Sequence, residues 1–579
     1  MRKISLYKYL LVSALLYCLN SHAQTIYVNQ VGFDATQPKT ALVAVNTSVQ
    51  EASFDVVNVA NGKSVFKNKL RPQGEIKEWL PGKLFYKADF SPVHETGKYM
   101  VRIGSILSDT FEVADNFLAR KTIPAILHYY HKQRAVTPQE LAADKQVQLY
   151  GSDKRVDLRG GWCDASGDVS KYFSHLAYAN FMSPQQIPLV TWSMVNARER
   201  VPALLEKAGV KDSIEQEALY GADYMMRSLS DSGYFYMIVF SYFSKDPNAR
   251  RVVGLHANSV TTNEYQAAFR EGGGMAIAAL ARIAQWKKNG EYTAEQYLNA
   301  AKKAFAHLLF NNTKYDDDGK ENIIDDYCAL MAATELWIAT GEAQYQAEAR
   351  KRAGNLQKRM TKDGYFIADD NARPYWHASD AGMPVIALAR YLDIETDGQL
   401  RNGALRVIRQ FLVYQLKVNS EVANPFNYAR QTFRYKSNLQ NGFFIPHDNE
   451  TGWWWQGENA RLGSLAAAAL IGSKLLDPKG ETDELKTFAT DQLSWILGRN
   501  PYQTCFMYGF GKNNVPYMHS SFGHGSEVGG VSNGITGKEG NGDGSGIDFK
   551  REANGNEWRW TEQWIPHAAW FLNAVVAMQ

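Results

Sequence analysis

Apolar residues fall into two textures along the chain. Between residues 24 and 115 they gather in short β-favouring runs: Ile26-Tyr27-Val28, Thr40 to Val45, Ser53 to Val57, Leu84-Phe85-Tyr86 and Tyr99-Met100-Val101. Turn pairs such as Asn61-Gly62, Pro81-Gly82 and Thr96-Gly97 punctuate them at the spacing of a β-sandwich, which predicts a small immunoglobulin-like domain. From residue 116 to 579 the period changes to that of amphipathic helices. Helical spacing recurs near 118–133, 190–206, 213–228, 264–287, 293–309, 325–340, 342–360, 380–394, 400–416, 457–475, 484–497 and 563–578. Capping chemistry opens several of these segments: Thr137 with Glu140, Thr261 with Glu264, and Thr293 with Gln296. Asp325-Asp326 reads as an N-terminal cap, and Gly272-Gly273-Gly274 as a place of close helix approach. Twelve helices suit six helical hairpins closing into an (α/α)6 barrel, whose long loops at one end would carry chemistry.

Residues 1–23 read as a signal peptide. Arg2, Lys3 and Lys8 precede an apolar run from Tyr9 to Leu19, and Ser21-His22-Ala23 supplies small residues for cleavage. Export to the periplasm or the exterior is expected, with lipidation at Cys18 as the alternative. No other stretch is apolar enough to span a membrane. The chain has a formal charge of +3, and the leader alone carries three positive charges and no negative ones. A neutral mature protein argues against nucleic acid as partner. Cys163, Cys328 and Cys505 are too few and too scattered for a disulfide framework. The chain contains no GxxxxGK[ST], HExxH or paired CxxC, so nucleotide and zinc-motif readings lack support. The oxygen-rich loops Asp316–Asn322 and Asn541–Asp548 lack EF-hand spacing; they read as solvated turns, with a structural Ca2+ as the alternative.

Aromatic residues make up 12% of the chain, and part of that share is gathered in loops that also hold carboxylates. The segment Gly160 to Tyr172 places Asp164 and Asp168 beside Trp162 in a Gly-rich loop, where two carboxylates can hold a water between them or merely cap a turn. The segment Phe443 to Arg461 carries His447, Glu458, Arg461 and the run Trp453-Trp454-Trp455. Consecutive tryptophans cannot all face a core, so at least one is expected in a cleft, stacking on a sugar ring; cementing the loop to the helices is the plainer alternative. Near the C-terminus Glu562 lies among Trp560, Trp564 and Pro566, a setting that should raise its pKa and suit a general acid. Its plainer role is a carboxylate at a helix N-terminus.

Together the opening Tyr27-Val28-Asn29-Gln30-Val31-Gly32-Phe33, the loop Gly160 to Tyr172, the segment Gly498-Arg499-Asn500-Pro501 and the terminal Glu562 resemble glycoside hydrolase family 9. These are cellulase-type enzymes with an immunoglobulin-like domain ahead of an (α/α)6 barrel, and the resemblance covers essentially the whole chain after the leader. It implies an inverting hydrolase of β-linked glucan-type chains that needs no cofactor, with Asp168 as base, Asp164 holding the water and Glu562 as acid. Ile565 and Ala569, three and seven residues after Glu562, fit the family pattern. Trp162, His447, Trp453, Trp454, Glu458, Arg461 and His519 are then expected to bind sugar. The chain departs from the pattern in two places. Asp-Ala-Ser-Gly-Asp is one residue longer than the usual Asp-Ala-Gly-Asp, and Met518-His519-Ser520-Ser521-Phe522-Gly523-His524 has no arginine, which points away from cellulose itself. An exo-acting glycosidase on another β-glycan, and a glycan-binding protein that has lost catalysis, remain the alternatives.

Overall fold

The computed structural model describes residues 25–48, 52–175, 185–256, 259–453, 456–480 and 482–579. The leader lies outside them. Ten strands come first: β1 Thr25–Tyr27, β2 Gly32–Asp34, β3 Thr40–Val45, β4 Ser53–Asn58, β5 Ser64–Lys69, β6 Arg71–Gly74, β7 Leu84–Asp89, β8 Gly97–Ile103, β9 Ile106–Leu107 and β10 Phe111–Ala114. One sheet runs β1-β3-β7-β6; the other runs β2-β10-β8-β4-β5, with β9 beside β8. Alternating inward residues of both sheets fill the space between them with Val43, Val56, Val101 and a set of phenylalanines. Phe33 meets Phe90 and Phe111 edge to face at 5.5 Å, an arrangement favoured by the ring quadrupole.

Twelve long helices follow among the described residues: α1 Phe117–Gln133, α2 Ile187–Arg200, α3 Lys211–Ser228, α4 Gly274–Ala284, α5 Ala294–Tyr315, α6 Ile323–Thr340, α7 Ala343–Arg359, α8 Met383–Leu392, α9 Gly398–Ser420, α10 Asn459–Leu476, α11 Glu484–Ile496 and α12 Ile565–Met578. The even-numbered helices pack in a closed ring, α2-α4-α6-α8-α10-α12 and back to α2, and each is backed by an odd-numbered helix outside it. Side-chain chemistry separates the two rings. Every residue of α4 is buried, and α10 buries Ala466 to Ala469, because small residues let inner helices approach from all sides. A Cβ on Gly274 would lie 2.7 Å from the carbonyl oxygen of Cys328 in α6, so the close approach expected of the glycine run is real. Outer helix α7 buries only Tyr345, Ala349, Arg352, Ala353 and Leu356, a single stripe at helical spacing.

The capping boxes at Thr137 and Thr293 form as expected, the former on a short helix at Pro138–Asp144. The expected cap at Thr261 does not form. Thr261 lies in a strand, Val260–Thr262, paired with Arg251–His256, and the helix begins with a π turn at Phe269 in which Gly272 has φ 90°. At α6 the cap is Asn322, with Asp325 as its reciprocal partner three residues in.

Alternation within one chain direction puts the N-termini of all six inner helices at one end. Gln186, Gly273, Asn322, Gly382, Glu458 and Trp564 stand at these starts, and the positive ends of the helix dipoles converge there. The sandwich docks on the flank of the rings. Gln30 donates from its backbone to Leu497 and from its side chain to Gln503, at 2.9 and 2.7 Å. Gly498 (φ 111°) leaves no room for a Cβ, which would meet Gln30 at 2.7 Å, and Arg499 pairs with Asp491 and with Thr40 of β3. The opening motif and the Gly498–Pro501 segment are thus two halves of one domain interface.

Candidate active site

The loop from Gly160 to Tyr172 crosses the end where the inner helices begin, and a short ladder ties it to the C-terminal segment. Ser166 donates its N–H to the Gln563 carbonyl and takes the Gln563 N–H on its hydroxyl, both at 3.0 Å. Ile565 N–H reaches the Asp164 carbonyl at 3.0 Å, and Ala165 pairs with Trp564. These bonds put Asp164, Asp168 and Glu562 side by side. The residue that makes the loop longer, Ser166 with the Gly167 that follows, has a definite use: Ser166 supplies the docking bonds, and Gly167 (φ 88°) turns the chain so that Asp168 N–H closes back on Ala165 at 3.2 Å.

The three carboxyls sit in different surroundings. Asp168 is half-buried, and one oxygen accepts the N–H groups of Val169 and Ser170 at 2.6 and 3.0 Å. Asp164 is buried, its Oδ1 has no hydrogen-bond partner, and burial, then the charges of Asp168 and Glu562, push its pKa well above the ordinary range. Glu562 accepts from the indole N–H of Trp564; burial, opposed by that bond, aided by the charge of Asp168 and opposed by Lys245, lifts its pKa to about 8 in all. The direction is the one its aromatic neighbours suggested. Glu562 is not part of α12; it stands in extended conformation just before it.

The remaining expected sugar contacts divide. Trp453 is 44% exposed, and its ring lies 5.7 Å from that of His447. Both line an open cleft of about 970 Å³, together with Arg434, Tyr435, Glu450 and Asn541. His447 is largely buried in the cleft wall, with Nε2 3.1 Å from the Gly537 carbonyl. A small buried apolar cluster joins Ala165 and Trp564, neighbours of the carboxyls, to Trp376, Phe433 and Ile445, and Tyr435 of the cleft wall packs against it; the carboxyls themselves do not line the cleft. His519 is exposed beside the Asp loop, its ring 4.8 Å from Tyr517. Trp454 lies outside the described residues.

Three expectations are corrected. Trp162 is fully buried; it donates to Glu217 at 3.2 Å and packs on Tyr130 and Tyr220, so it has no face for a sugar. Glu458 and Arg461 are buried against each other at 2.7 Å. Glu458 also accepts from Tyr428 and the Ile445 N–H, and Arg461 donates to the Ala429 carbonyl, so the pair fastens the strands that wall the cleft instead of presenting charge to it. A lone sequence cannot separate an aromatic or ion pair in a cleft from the same groups beneath it.

Sequence reasoning missed the hairpin around Tyr242 and Lys245. Ile238–Phe240 pairs with Arg251–Val253 in a sheet that also holds Lys171-Tyr172. Tyr242, Phe243 and Lys245 all have positive φ, and Phe243 is 60% exposed. Its signal would have been the β-favouring run Tyr236 to Phe240 ahead of the turn Asp246-Pro247-Asn248.

Beneath the Asp loop lies a buried ionic network. Glu140, Cys163 and His524 bring ligand atoms within 4.8 Å of one another, but both His524 nitrogens face acceptors, the Lys132 carbonyl at 3.0 Å and Glu140 at 2.9 Å, and the Arg250 guanidinium shares the space. These groups pair with one another as ions. The oxygen-rich loop at Asp316 likewise turns its carboxylates onto Arg270.

With this geometry in hand, comparison with known proteins gives the family. The family model for glycosyl hydrolase family 9 matches residues 121–544, and that for the cellulase N-terminal ig-like domain matches residues 21–108. The chain belongs to glycosyl hydrolase family 9. It is 25% identical to a cellodextrinase of Butyrivibrio fibrisolvens over 59% of this chain and 63% of that protein. It is 23% identical to a xyloglucan-specific endo-beta-1,4-glucanase of Bacteroides ovatus over 85% of this chain and 82% of the relative. A metagenome-derived family 9 endoglucanase superimposes with a TM-score of 0.68 at 18% identity, covering 96% of this chain and 99% of the other. As in that fold, an N-terminal β-sandwich precedes the helical family 9 unit. Among the described residues no helix is long and apolar enough to cross a membrane.

Proposed function

We propose that this family 9 glycoside hydrolase is an exported inverting enzyme that cleaves β-linked glucan chains in the cleft between Trp453 and the Asp loop, on an (α/α)6 barrel formed by the two helical rings. The observation that carries the reading is the short ladder fixing Glu562 beside Asp164 and Asp168 while burial lifts the Glu562 carboxyl to about 8. An acid in that range is protonated at neutral pH and can hand its proton to a leaving oxygen. Asp168, fixed by two backbone N–H groups, accepts a proton from the attacking water as that water bonds to the anomeric carbon. Asp164 holds the same water through its free carboxyl oxygen. The C–O bond breaks as the nucleophile adds, so the product emerges with the opposite anomeric configuration.

Relatives that include a cellodextrinase and a xyloglucan-specific endoglucanase support β-glucan as the class of substrate. Nothing in this scheme calls for a cofactor; a Ca2+ at either oxygen-rich loop would bear on stability. The test is hydrolysis of soluble β-glucans followed by proton NMR. Wild-type protein should release the α-anomer first, and Glu562→Gln should lose on the order of a thousandfold in turnover with its melting temperature intact. A β-anomer as first product, or near-normal turnover in the variant, overturns the assignment. Persistent binding without turnover in the wild type would favour the glycan-binding alternative, and an early absence of long products the exo-acting one.

A further inference from the structure

The segment that leads into each inner helix ends at the start of that helix, so the ring order of the helices is also the order of these segments around the rim. Four consecutive starts, those of α10, α12, α2 and α4, carry Trp453, Glu562, the Asp loop and the Tyr242 hairpin in turn. The carboxyl centre thus lies between the aromatic cleft and the hairpin. The cleft at Trp453 stops short of the carboxyls, so a glycan chain that fills it and also meets Glu562 and Asp168 runs on toward the hairpin.

The hairpin is built onto the Asp loop. Ser241 donates its N–H to the Ser170 hydroxyl at 3.1 Å, the two hydroxyls meet at 2.9 Å, and the Ser170 N–H in turn ends on the Asp168 carboxylate at 3.0 Å. Ring contacts make a second link. From Phe243 and Tyr242 they run to Phe240 at 5.0 Å each, then to Tyr172 at 6.5 Å, to His175 at 4.3 Å and to Trp564 at 5.1 Å, whose indole N–H is on Glu562. The rings from Phe240 to Trp564 are buried; the two at the open end are not. Lys245, two residues beyond Phe243, is near enough to Glu562 to oppose its raised pKa, so the turn comes back toward the carboxyls.

Backbone and exposure single out Phe243. Tyr242 and Phe243 both stand at φ 57°, a left-handed conformation in which a Cβ crowds the backbone and which bulky residues rarely take. Ser244 ties the turn, its N–H and hydroxyl both closing on the Ser241 carbonyl at 3.1 and 2.7 Å. Tyr242 faces Arg251 and Thr261 of the neighbouring strands, whereas Phe243 meets Phe240 at 88° and is 60% exposed. A core would bury that ring, and a plain turn would place glycine there. Strain of this kind clusters at ligand-binding positions.

We propose that Phe243 is a second sugar-stacking platform, on the far side of the carboxyls from Trp453, taking a glucosyl ring of a β-glucan chain that lies across both. The inference rests on the reading of this centre as a β-glucan hydrolase. An exposed aromatic ring suits the apolar face of a β-linked glucosyl unit.

The test is a length series of soluble β-glucan oligosaccharides. Phe243→Ala should match wild type on the shortest members that are hydrolysed. On members long enough to reach the hairpin it should lose roughly two- to tenfold in kcat/KM, with the change in KM. Phe243→Trp should keep the long-chain value. Phe243→Gly suits the left-handed backbone and should show the Phe243→Ala loss with a melting temperature no lower than wild type, which separates sugar stacking from packing. Equal kinetics of Phe243→Ala and wild type at every length overturn the proposal, as does a loss of the same size on the shortest members. A wild-type protein that binds the series without cleaving it defeats the hydrolase reading alone. Affinity then replaces kcat/KM, and equal affinity of wild type and Phe243→Ala at every length overturns the proposal. A wild type that neither binds nor cleaves overturns both.

Discussion

Two sets of buried carboxyls lie within one loop's thickness of each other and are treated in opposite ways. Glu140 and Asp144 below the Asp loop, like Glu458 beside the cleft, are each matched by a guanidinium, an ammonium or an imidazolium. Asp164 and Glu562 above it are in no ion pair among the described residues: Glu562 has the Trp564 indole N–H and an opposing pull from Lys245, and both lie beside Asp168. Compensation by His524 and Arg250 holds Glu140 at about 2 despite its burial. Lack of compensation lifts the second set. Asp380 in the helical core is bare in the same way and is lifted to about 7 by burial; Asp164 and Glu562 differ from it in standing beside the half-buried Asp168, and raised carboxyls next to such a group are what proton transfer needs.

The largest effect expected from breaking this contrast is on the compensated side. Arg461→Met leaves Glu458 as a buried charge with only Tyr428 and the Ile445 N–H to hold it. Removing one partner of such a pair costs about 3–5 kcal/mol, because the other charge stays desolvated. Thermal unfolding should show that loss, and Glu458→Gln made in the Arg461→Met background should recover part of it. A variant as stable as wild type would mean that Glu458 finds water, and that its burial is not the ground for compensation.

The uncompensated side should respond with opposite sign. Asp164→Asn removes a carboxyl whose folded-state pKa is raised, so the native state is penalised once pH exceeds the ordinary aspartate value. The gain in stability, on the order of 1–2 kcal/mol at pH 7, should vanish as pH falls below about 4, where the unfolded-state aspartate is also protonated. Turnover should fall about a hundredfold, since the water loses its second carboxyl. Stability unchanged across this pH range would show Asp164 to be compensated after all.

Which of these groups is which was only partly legible beforehand. The loops that gather the carboxyls were visible because aromatics and carboxylates crowded into Gly-rich segments stand out from the helical pattern, and the helical period alone located the six inner and six outer helices. Burial was not visible. Trp162 and Trp453 look alike in sequence, yet one is fully covered by helix α3 and the other stands in the cleft, because that depends on which strand lies over which helix start. Cys163, His524 and Glu140 are separated by up to 384 residues and meet only through the fold. The Tyr242 hairpin had a local signal in its β-favouring run, but its place beside the Asp loop depends on Ile238-Val239 pairing with Lys171-Tyr172, a contact that leaves no local signature.

The smallest effect sharpens the contrast most, because it alters one hydrogen bond and no charge. Trp564 donates its indole N–H to Glu562, and that bond favours the ionised carboxylate, opposing the burial that lifts the group to about 8. Trp564→Phe keeps an aromatic ring against Ala165 and removes the donor. With the donor gone the carboxylate is less favoured, so the folded-state pKa rises further and the acid stays protonated to higher pH. The basic limb of kcat/KM, which should lie near 8 in the wild type, should move up by about half a unit to one unit. A basic limb that moves down would mean that Trp564 protects Glu562 chiefly by excluding water, and the bare acid of this cleft would then owe its pKa to the indole's bulk and not to the absence of a cation.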